Sequence, residues 1–295
     1  MDFNVLSPAN RSELLAVIKE LQGSSFRFCA GGTDVLLEIR KSKPVGLTVV
    51  NLNRLKDDEF TAIKLNEAEL RIGSLATVAR IAVNPVAAER YPVLQQAANS
   101  LASRQIREVA TVGGNICTAS PAGDVACALV ALKTDCDILR ADGSARSVSI
   151  GDFFTGVRKT VLGTDEILRS VILHPNYPGV KLQSGFIKVG IRRSMECAVV
   201  SLAYHIQVTE KDEVVEAGLA IGSAAPTIRF APEASQFLIG RNLRLLDIDS
   251  IETFAELITR VASPISDKRG SAEYRRTTLR NISKGILEDI KKSLI

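Results

Sequence analysis

Two glycine pairs, Gly31-Gly32 and Gly113-Gly114, are the features of this sequence whose residue types and spacing could bind a ligand. The first stands in Ala30-Gly31-Gly32-Thr33-Asp34-Val35-Leu36, after the apolar run 26–30 and before a predicted helix. Glycine at such a turn permits a positive φ and lets a ligand approach the backbone, while unpaired amides at a helix start bind anions. Either pair alone could also be a tight turn with nothing bound.

Polar side chains follow the second glycine pair closely. Thr111, Asn115, Thr118, Ser120 and Asp124 lie within fourteen residues and supply hydroxyl, amide and carboxylate groups that suit phosphate, ribose and ring edges. The first segment is not G-x-G-x-x-G, and no G-x-x-x-x-G-K-[ST] occurs, so neither a classical dinucleotide fold nor a P-loop is indicated. Two separated turns suit one long ligand held from both sides, and a dinucleotide with its pyrophosphate is such a ligand.

Alternating elements should position these two segments. The pattern predicts a helix over 10–22 with Asn10 or Ser12 as its cap, a strand over 26–30, a helix over 33–39 and a strand over 47–52. Further on it predicts a strand over 70–73, helices over 78–83 and 93–103, a turn at 112–115 and an apolar run over 125–132. Asp142-Gly143 indicates a hairpin between strands 136–139 and 145–149.

Proline and glycine at 175–179 mark a linker, where we place a domain boundary. Strands are predicted at 186–189, 198–207 and 214–221, and helices at about 232–238, 250–262 and 271–292. The chain is therefore expected to be α+β, with a ligand-binding domain at 1–175, built from subdomains of about 1–57 and 58–175. A smaller domain of antiparallel sheet and helices is expected at 176–295.

Composition excludes several classes of protein. The 37 basic and 33 acidic residues are spread along 295 positions and give a net charge of +4, so no electrostatic footprint for nucleic acid is present. No 18-residue apolar run and no signal peptide are seen, so we expect a cytoplasmic protein without a membrane span. Five cysteines without a C-x-x-C pair and only two histidines predict buried free thiols and no metal site.

The two glycine segments, in the forms Ala-Gly-Gly-Thr-Asp-Val-Leu and Ala-Thr-Val-Gly-Gly-Asn-Ile-Cys-Thr-Ala-Ser-Pro-Ala-Gly-Asp, resemble the FAD-binding medium subunit of the molybdenum hydroxylases, the xanthine dehydrogenase family. The resemblance covers essentially the whole chain, and segments 165–168, 185–188 and 269–276 agree with it. It implies a two-part FAD-binding domain like that of p-cresol methylhydroxylase and vanillyl-alcohol oxidase, followed by a smaller C-terminal domain.

The resemblance also implies which residues contact FAD. The first turn would hold the pyrophosphate, the second would continue the cradle toward the ribityl and phosphate groups, and three single positions would contact the rest of the cofactor. The implied residues are Ala30, Gly31, Gly32, Thr33, Asp34, Val35, Thr111, Gly113, Gly114, Asn115, Thr118, Ser120, Asp124, Leu101, Leu168 and Lys188. Alternatively, Leu101 and Leu168 could be core leucines, Lys188 a strand lysine facing water, and Asp124 a helix cap.

The function implied by the resemblance is electron transfer within a complex. A molybdopterin-binding large subunit hydroxylates a purine or other aromatic heterocycle, [2Fe-2S] clusters on a small subunit carry the electrons, and FAD passes them to NAD or another acceptor. The assembly would be a dimer of heterotrimers. No catalytic side chain or metal is expected here, because the flavin does the redox chemistry. His174 and His205 lie outside both glycine segments, so the FAD should be non-covalent.

Two alternatives remain open from the residues. One is a stand-alone flavoprotein of the enolpyruvyl-glucosamine reductase type, and the other is an assembly scaffold that has lost its flavin. The pair Arg192-Arg193 could face an electron acceptor or simply solvate a loop. A basic C-terminal group could be a solvated helix face or a docking surface for a partner; it comprises Lys268, Arg269, Arg275, Arg276, Arg280 and Lys284.

Overall fold

A computed structural model of the chain describes residues 3–192 and 195–294. Residues 3–57 form a three-stranded parallel sheet with the strand order β1-β3-β2. Its elements are β1 (Asn4–Leu6), α1 (Arg11–Glu20), β2 (Phe26–Cys29), α2 (Val35–Ser42) and β3 (Thr48–Asn51). Asn10 caps α1 as predicted, because its side chain accepts a hydrogen bond from the amide of Glu13 at 3.0 Å. The first glycine pair therefore lies between β2 and α2.

Residues 58–173 form a five-stranded antiparallel sheet with the order β4-β5-β10-β6-β7. Its strands are β4 (Ile63–Asn66), β5 (Glu69–Gly73), β6 (Asp135–Arg140), β7 (Ala145–Ser149) and β10 (Glu166–Leu173), and a small hairpin adds β8 (Phe154–Gly156) and β9 (Lys159–Thr160). The helices are α3 (Asp58–Thr61), α4 (Val78–Ala82), α5 (Pro85–Arg90), α6 (Pro92–Ser100), α7 (Arg104–Val109), α8 (Val112–Cys117), α9 (Asp124–Ala131) and α10 (Ile150–Phe153). The predicted Asp142-Gly143 hairpin joins β6 to β7.

The rest of the described chain is a four-stranded antiparallel sheet with the order β11-β12-β13-β14, followed by helices. Its elements are β11 (Lys181–Val189), β12 (Val200–Val208), β13 (Val214–Gly222), β14 (Arg229–Phe230), α11 (Pro232–Leu238), α12 (Ile248–Arg260) and α13 (Ala272–Ser293). The predicted α+β arrangement of this part is confirmed. The linker predicted at 175–179 lies between β10 and β11.

Helix α9 connects the two large sheets. All eight of its residues are buried, and it contacts α6 on one side and β12 and β13 on the other. Its apolar side chains belong to one hydrophobic cluster that includes Leu168 of β10 and Ala220 of β13. Burial of every residue explains why the sequence pattern here is continuous rather than periodic. The first residue of α9 is Asp124, so the packing of this helix fixes the position of that carboxylate.

The structure corrects three expectations. The second glycine pair lies in the first turn of α8, not in a turn at 112–115, and the central strand β10 had no prediction at all. Arg275 is neither solvated nor a docking residue, because it is buried and donates to the carbonyl oxygens of Val199 and Ser223, each at 2.7 Å. No helix in residues 3–192 or 195–294 combines the length and apolar character needed to cross a bilayer.

Candidate cofactor-binding cavity

A cavity of about 730 Å³ lies between the two glycine segments, the hairpin of β8 and β9, and the loop before β12. Fifteen of the sixteen residues implied by the resemblance line it, although they come from distant parts of the chain: Ala30, Gly31, Gly32, Thr33, Asp34, Val35, Leu101, Thr111, Gly113, Gly114, Asn115, Thr118, Ser120, Asp124 and Leu168. The structure therefore brings both glycine segments to one space. A cavity of this size is in the range that binds small molecules and cofactors.

The first glycine segment offers a row of backbone donors. Gly32 has a φ of +72°, which turns the chain into α2. Among the described residues, no acceptor is found for the four amides from Gly31 to Asp34. The Asp34 carboxylate, at the N-cap of α2, also makes no capping hydrogen bond to the described chain. Consecutive amides beside a helix N-terminus form a site for an anionic group.

Close packing, rather than ligand access, explains one glycine in each pair. A Cβ atom at Gly31 would lie 1.9 Å from the carbonyl oxygen of Val109, and one at Gly113 would lie 2.8 Å from the carbonyl oxygen of Ser74. Both distances are far below van der Waals contact, so a larger residue would push the backbones apart. The two glycines thus let the segments approach their neighbours. Access for a ligand is a weaker reason for them than the sequence suggested.

The amides of the second segment are already used, contrary to expectation. The Gly113 amide donates to the Ser74 carbonyl oxygen at 2.7 Å, and the Gly114 amide donates to the hydroxyl of Thr111 at 3.0 Å. The amide oxygen of Asn115 accepts from the backbone of Ala126 at 3.0 Å and so supports the start of α9. With these amides satisfied, the segment contributes to the lining with Asn115, Thr118 and Ser120.

A buried ion pair lies behind the cavity wall. Lys188 Nζ is 2.6 Å from one carboxylate oxygen of Asp124, and the second oxygen is buried without a hydrogen-bond partner in the described chain. Burial raises the pKa of Asp124 to about 6, although the charge of Lys188 acts in the opposite direction. Lys188 is only 10% exposed and does not belong to the described lining, so it neither faces water nor touches the cavity directly. Asp124 does not cap α9, because Gly123 is its N-cap.

Apolar side chains cover the other walls. Leu168 on β10 is 2% exposed and packs in the central cluster while also lining the cavity. Leu101, which follows α6, packs partly against the same cluster. Leu101 and Leu168 therefore pack against the hydrophobic cluster and also line the cavity, so the two roles considered for them are compatible. Apolar walls with a few polar groups are typical of cofactor sites.

Sequence reasoning missed an ion pair that crosses the cavity. Arg158, at the tip of the hairpin, pairs with Glu38 of α2, and both residues line the space. The two residues are far apart in sequence and belong to no motif, so no local signal marked them. Cys117 and Cys197 also line the cavity, and exposure of Cys197 corrects the expectation of a buried thiol for that residue. Cys117 has an exposed surface, but burial of its thiol raises the pKa of that group to about 12, and Cys29, Cys127 and Cys136 are buried.

Only one arginine of the pair Arg192-Arg193, for which two roles were considered, lies in the part of the chain that the structure describes. Arg192 is exposed, and its amide donates to the carboxylate of Glu196, another lining residue, whereas Arg193 lies outside the described residues. Within residues 3–192 and 195–294, no cluster of three or more metal-binding side chains is found.

Family models match the chain in two consecutive parts. Residues 1–176 match the FAD-binding domain in molybdopterin dehydrogenase, and residues 186–290 match the C-terminal domain of the carbon monoxide dehydrogenase flavoprotein. A xanthine dehydrogenase FAD-binding subunit of Escherichia coli O157:H7 is 31% identical, with 89% of this chain and 88% of the relative covered. The nicotinate dehydrogenase FAD-subunit of Eubacterium barkeri is 26% identical and covers 99% of this chain and 97% of its own length.

Solved structures share the fold over nearly the whole chain. A chain of carbon monoxide dehydrogenase from Hydrogenophaga pseudoflava superposes with a TM-score of 0.88 at 22% identity, covering 98% of this chain and 96% of its own. A chain of quinoline 2-oxidoreductase from Pseudomonas putida 86 superposes with a TM-score of 0.87 at 24% identity, covering 99% of this chain and 98% of its own. The resemblance noted in the two glycine segments is confirmed. Because the first family model alone spans more than half of the residues, the chain belongs to the family of FAD-binding subunits of molybdopterin-dependent dehydrogenases.

Proposed function

We propose that this chain binds FAD non-covalently in the cavity and acts as the electron-transfer subunit of a multisubunit molybdenum hydroxylase. The observation that carries the proposal is the cavity itself, in which the row of amides at 31–34 and the polar residues that follow the second glycine pair line one space. A long ligand with an anionic centre and polar ends fits such a lining. The fold type we propose is that of the p-cresol methylhydroxylase and vanillyl-alcohol oxidase flavoproteins.

Each part of the lining has a task in this account. The amides of the first turn would donate to the pyrophosphate, and Asn115, Thr118 and Ser120 would bind ribityl and phosphate oxygens. The unpaired oxygen of Asp124 would accept a hydrogen bond from a hydroxyl or ring N–H of the cofactor. Leu101 and Leu168 would exclude water from its rings. The flavin, when bound, supplies the electron-accepting and electron-donating chemistry.

Partner subunits complete the proposed reaction. A large subunit with molybdopterin would hydroxylate the substrate, and a small subunit with [2Fe-2S] clusters would pass the electrons to FAD. Relatives whose names include an FAD-subunit and a medium chain support this division of labour. We further propose a dimer of heterotrimers, with NAD or another acceptor taking the electrons from the flavin. The family assignment favours this function over a stand-alone reductase or a flavin-free scaffold.

The proposed substrate of the complex is a purine or another aromatic heterocycle. The relatives named for xanthine and nicotinate support this choice, and the solved quinoline oxidoreductase fits with it. Other relatives are named for glyceraldehyde and carbon monoxide, so family membership by itself does not select a heterocycle. The substrate therefore needs a direct test on the assembled complex.

The proposed function is tested by anaerobic reduction of the complex. The chain is co-expressed with its partner subunits, and the visible absorbance of the flavin is followed after addition of xanthine, nicotinate or quinoline. We expect one heterocycle to bleach the flavin only when the partners are present, and we expect NAD or another acceptor to restore the colour. A flavin that dithionite reduces but that no substrate reduces would contradict the proposed role in electron transfer.

A further inference from the structure

The hairpin of β8 and β9 reaches across the cavity to α2. Arg158 stands at its tip with a φ of +56°, and its amide donates to the carbonyl oxygen of Ala119 at 3.1 Å. Its guanidinium forms the ion pair with Glu38, and both side chains are 50% exposed. The hairpin is thereby fixed to the segment after α8, while its arginine extends to the helix that follows the first glycine pair.

The position of Glu38 places the guanidinium near the row of free amides. Glu38 is the fourth residue of α2, and side chains on a helix lean toward its N-terminus. From this lean we infer that its carboxylate covers the first helical turn and that the paired guanidinium of Arg158 lies close to it. The amides of residues 31–34 precede that same turn. Backbone donors and a cation are thus collected at one end of the cavity.

The charges of the lining make this arginine important for an anion. The described lining contains four carboxylates but only two arginines, Arg27 and Arg158, so its side chains taken together repel a pyrophosphate. Arg27 uses its guanidinium on the carbonyl oxygen of Phe26 in its own strand. Arg158 is the arginine placed at the helix N-terminus, where a cation is unfavourable unless an anion accompanies it. Glu38 is that anion in the present structure.

We propose that Arg158 binds the pyrophosphate of the cofactor, with Glu38 as the counter-ion of the guanidinium when no phosphate is bound. This inference rests on the proposed binding of FAD in the cavity. A planar guanidinium has five donors, so it can bond to phosphate oxygens and keep a contact with Glu38 at the same time. Arg158 then supplies the cationic partner that the backbone amides of the first turn lack.

The test is a titration of the full chain and of three variants with FAD. Binding is monitored by the quenching of flavin fluorescence. We expect Arg158→Gln to weaken FAD binding about tenfold, as for the loss of a charge-assisted hydrogen bond, and to reduce the sensitivity of binding to salt. Glu38→Gln should bind FAD at least as tightly as the unmodified chain, because it removes a negative charge from the cavity. Arg260→Gln is the matched control, because it also breaks an exposed ion pair but lies outside the described cavity lining, and it should change affinity by less than about twofold.

The variants separate this inference from its alternatives. Equal losses in Arg158→Gln and Glu38→Gln would show that the ion pair acts only as a latch between hairpin and helix, which overturns phosphate binding. Unchanged affinity in Arg158→Gln overturns it as well. If the unmodified chain itself binds no FAD, the proposed function fails and this inference fails with it. Thermal unfolding of each variant checks that the chain is folded, which we expect because both side chains are half exposed.

Discussion

Lys188 Nζ lies 2.6 Å from a carboxylate oxygen of Asp124, and this contact joins strand β11 to the first residue of helix α9. Lys188 Nζ also approaches the carbonyl oxygen of Ser100 at 3.3 Å, so three separate segments meet at one ammonium group. Lys188 thus holds the carboxylate from behind the cavity wall, to which Asp124 contributes. The second carboxylate oxygen is buried without a donor in the described chain, and we propose it as an acceptor for the ligand.

Removing the lysine should destabilise the protein strongly. In Lys188→Met the buried Asp124 loses its partner, and breaking a buried pair from one side costs about 3 to 5 kcal/mol. The double variant Lys188→Met with Asp124→Asn should recover much of this loss, because no unpaired charge is then buried. Urea unfolding of the three proteins measures both values. A single variant as stable as the unmodified chain would mean that the pair does not form.

The pKa of Asp124 predicts a pH effect on FAD binding. Burial raises the pKa of this carboxyl to about 6, and its ionised form is the better acceptor for a cofactor hydroxyl or N–H. FAD affinity should therefore fall as the pH drops below 6. Asp124→Asn should bind FAD more weakly at pH 7 and show little change between pH 7 and 5. Parallel pH profiles for both proteins would contradict a role for this carboxylate.

His205 should oppose Asp124 in the pH dependence of stability. His205 is buried between Ser184 and Asn176, at 2.9 and 2.8 Å, and burial lowers its pKa to about 4. The pKa of His205 is lower in the folded chain than in the unfolded chain, where it is near 6.5, so its contribution to the free energy of unfolding is fully present above about pH 6.5. That contribution is lost as the pH falls toward 4, by up to about 3 kcal/mol. The raised pKa of Asp124 acts in the opposite direction, since its protonation below pH 6 removes a buried charge.

Urea unfolding of single variants at several pH values distinguishes the effects of His205 and Asp124 on the free energy of unfolding. His205→Gln should become less sensitive to acid than the unmodified chain between pH 6.5 and 4, whereas Asp124→Asn should become more sensitive. Identical pH dependence in the histidine variant would show that His205 titrates normally in the folded protein.

Local signals predicted much of this fold. The Asn10 cap, the Asp142-Gly143 hairpin and the long helix α13 depend on neighbours in sequence, which is why a single sequence reveals them. The second glycine pair was misassigned because glycine disfavours helices, and here tertiary packing against Ser74 outweighs that preference. The Arg158–Glu38 pair joins distant segments, so no local pattern could indicate it.

Arg275 should be a structural residue of the C-terminal helix. Its guanidinium donates to two carbonyl oxygens and pairs with Asp267 at 2.7 Å, which ties α13 to the ends of β12 and β13. Arg275→Met should reduce the free energy of unfolding by about 3 kcal/mol, because buried acceptors lose charged donors. The exposed neighbour Arg276 provides the control, and Arg276→Met should cost less than about 0.5 kcal/mol. Equal effects would contradict this assignment.

The backbone turn at Gly32 should be necessary for FAD binding. Gly32→Ala places a side chain at a φ of +72°, where its Cβ would also lie 2.9 Å from Leu36, so the row of amides should shift. We expect FAD affinity to fall at least about fivefold. Gly46→Ala is the matched control, since its φ is +68° and a Cβ there meets no described atom within 4 Å. It should be destabilised similarly by backbone strain but bind FAD normally.

The visible spectrum of the freshly purified chain, with the released cofactor identified after acid precipitation, shows whether the cavity binds FAD. We predict flavin absorbance and release of about one FAD per chain into the supernatant, because one cavity holds the cofactor without a covalent bond. A colourless protein that also fails to take up added FAD would contradict the claim that this cavity is the FAD site.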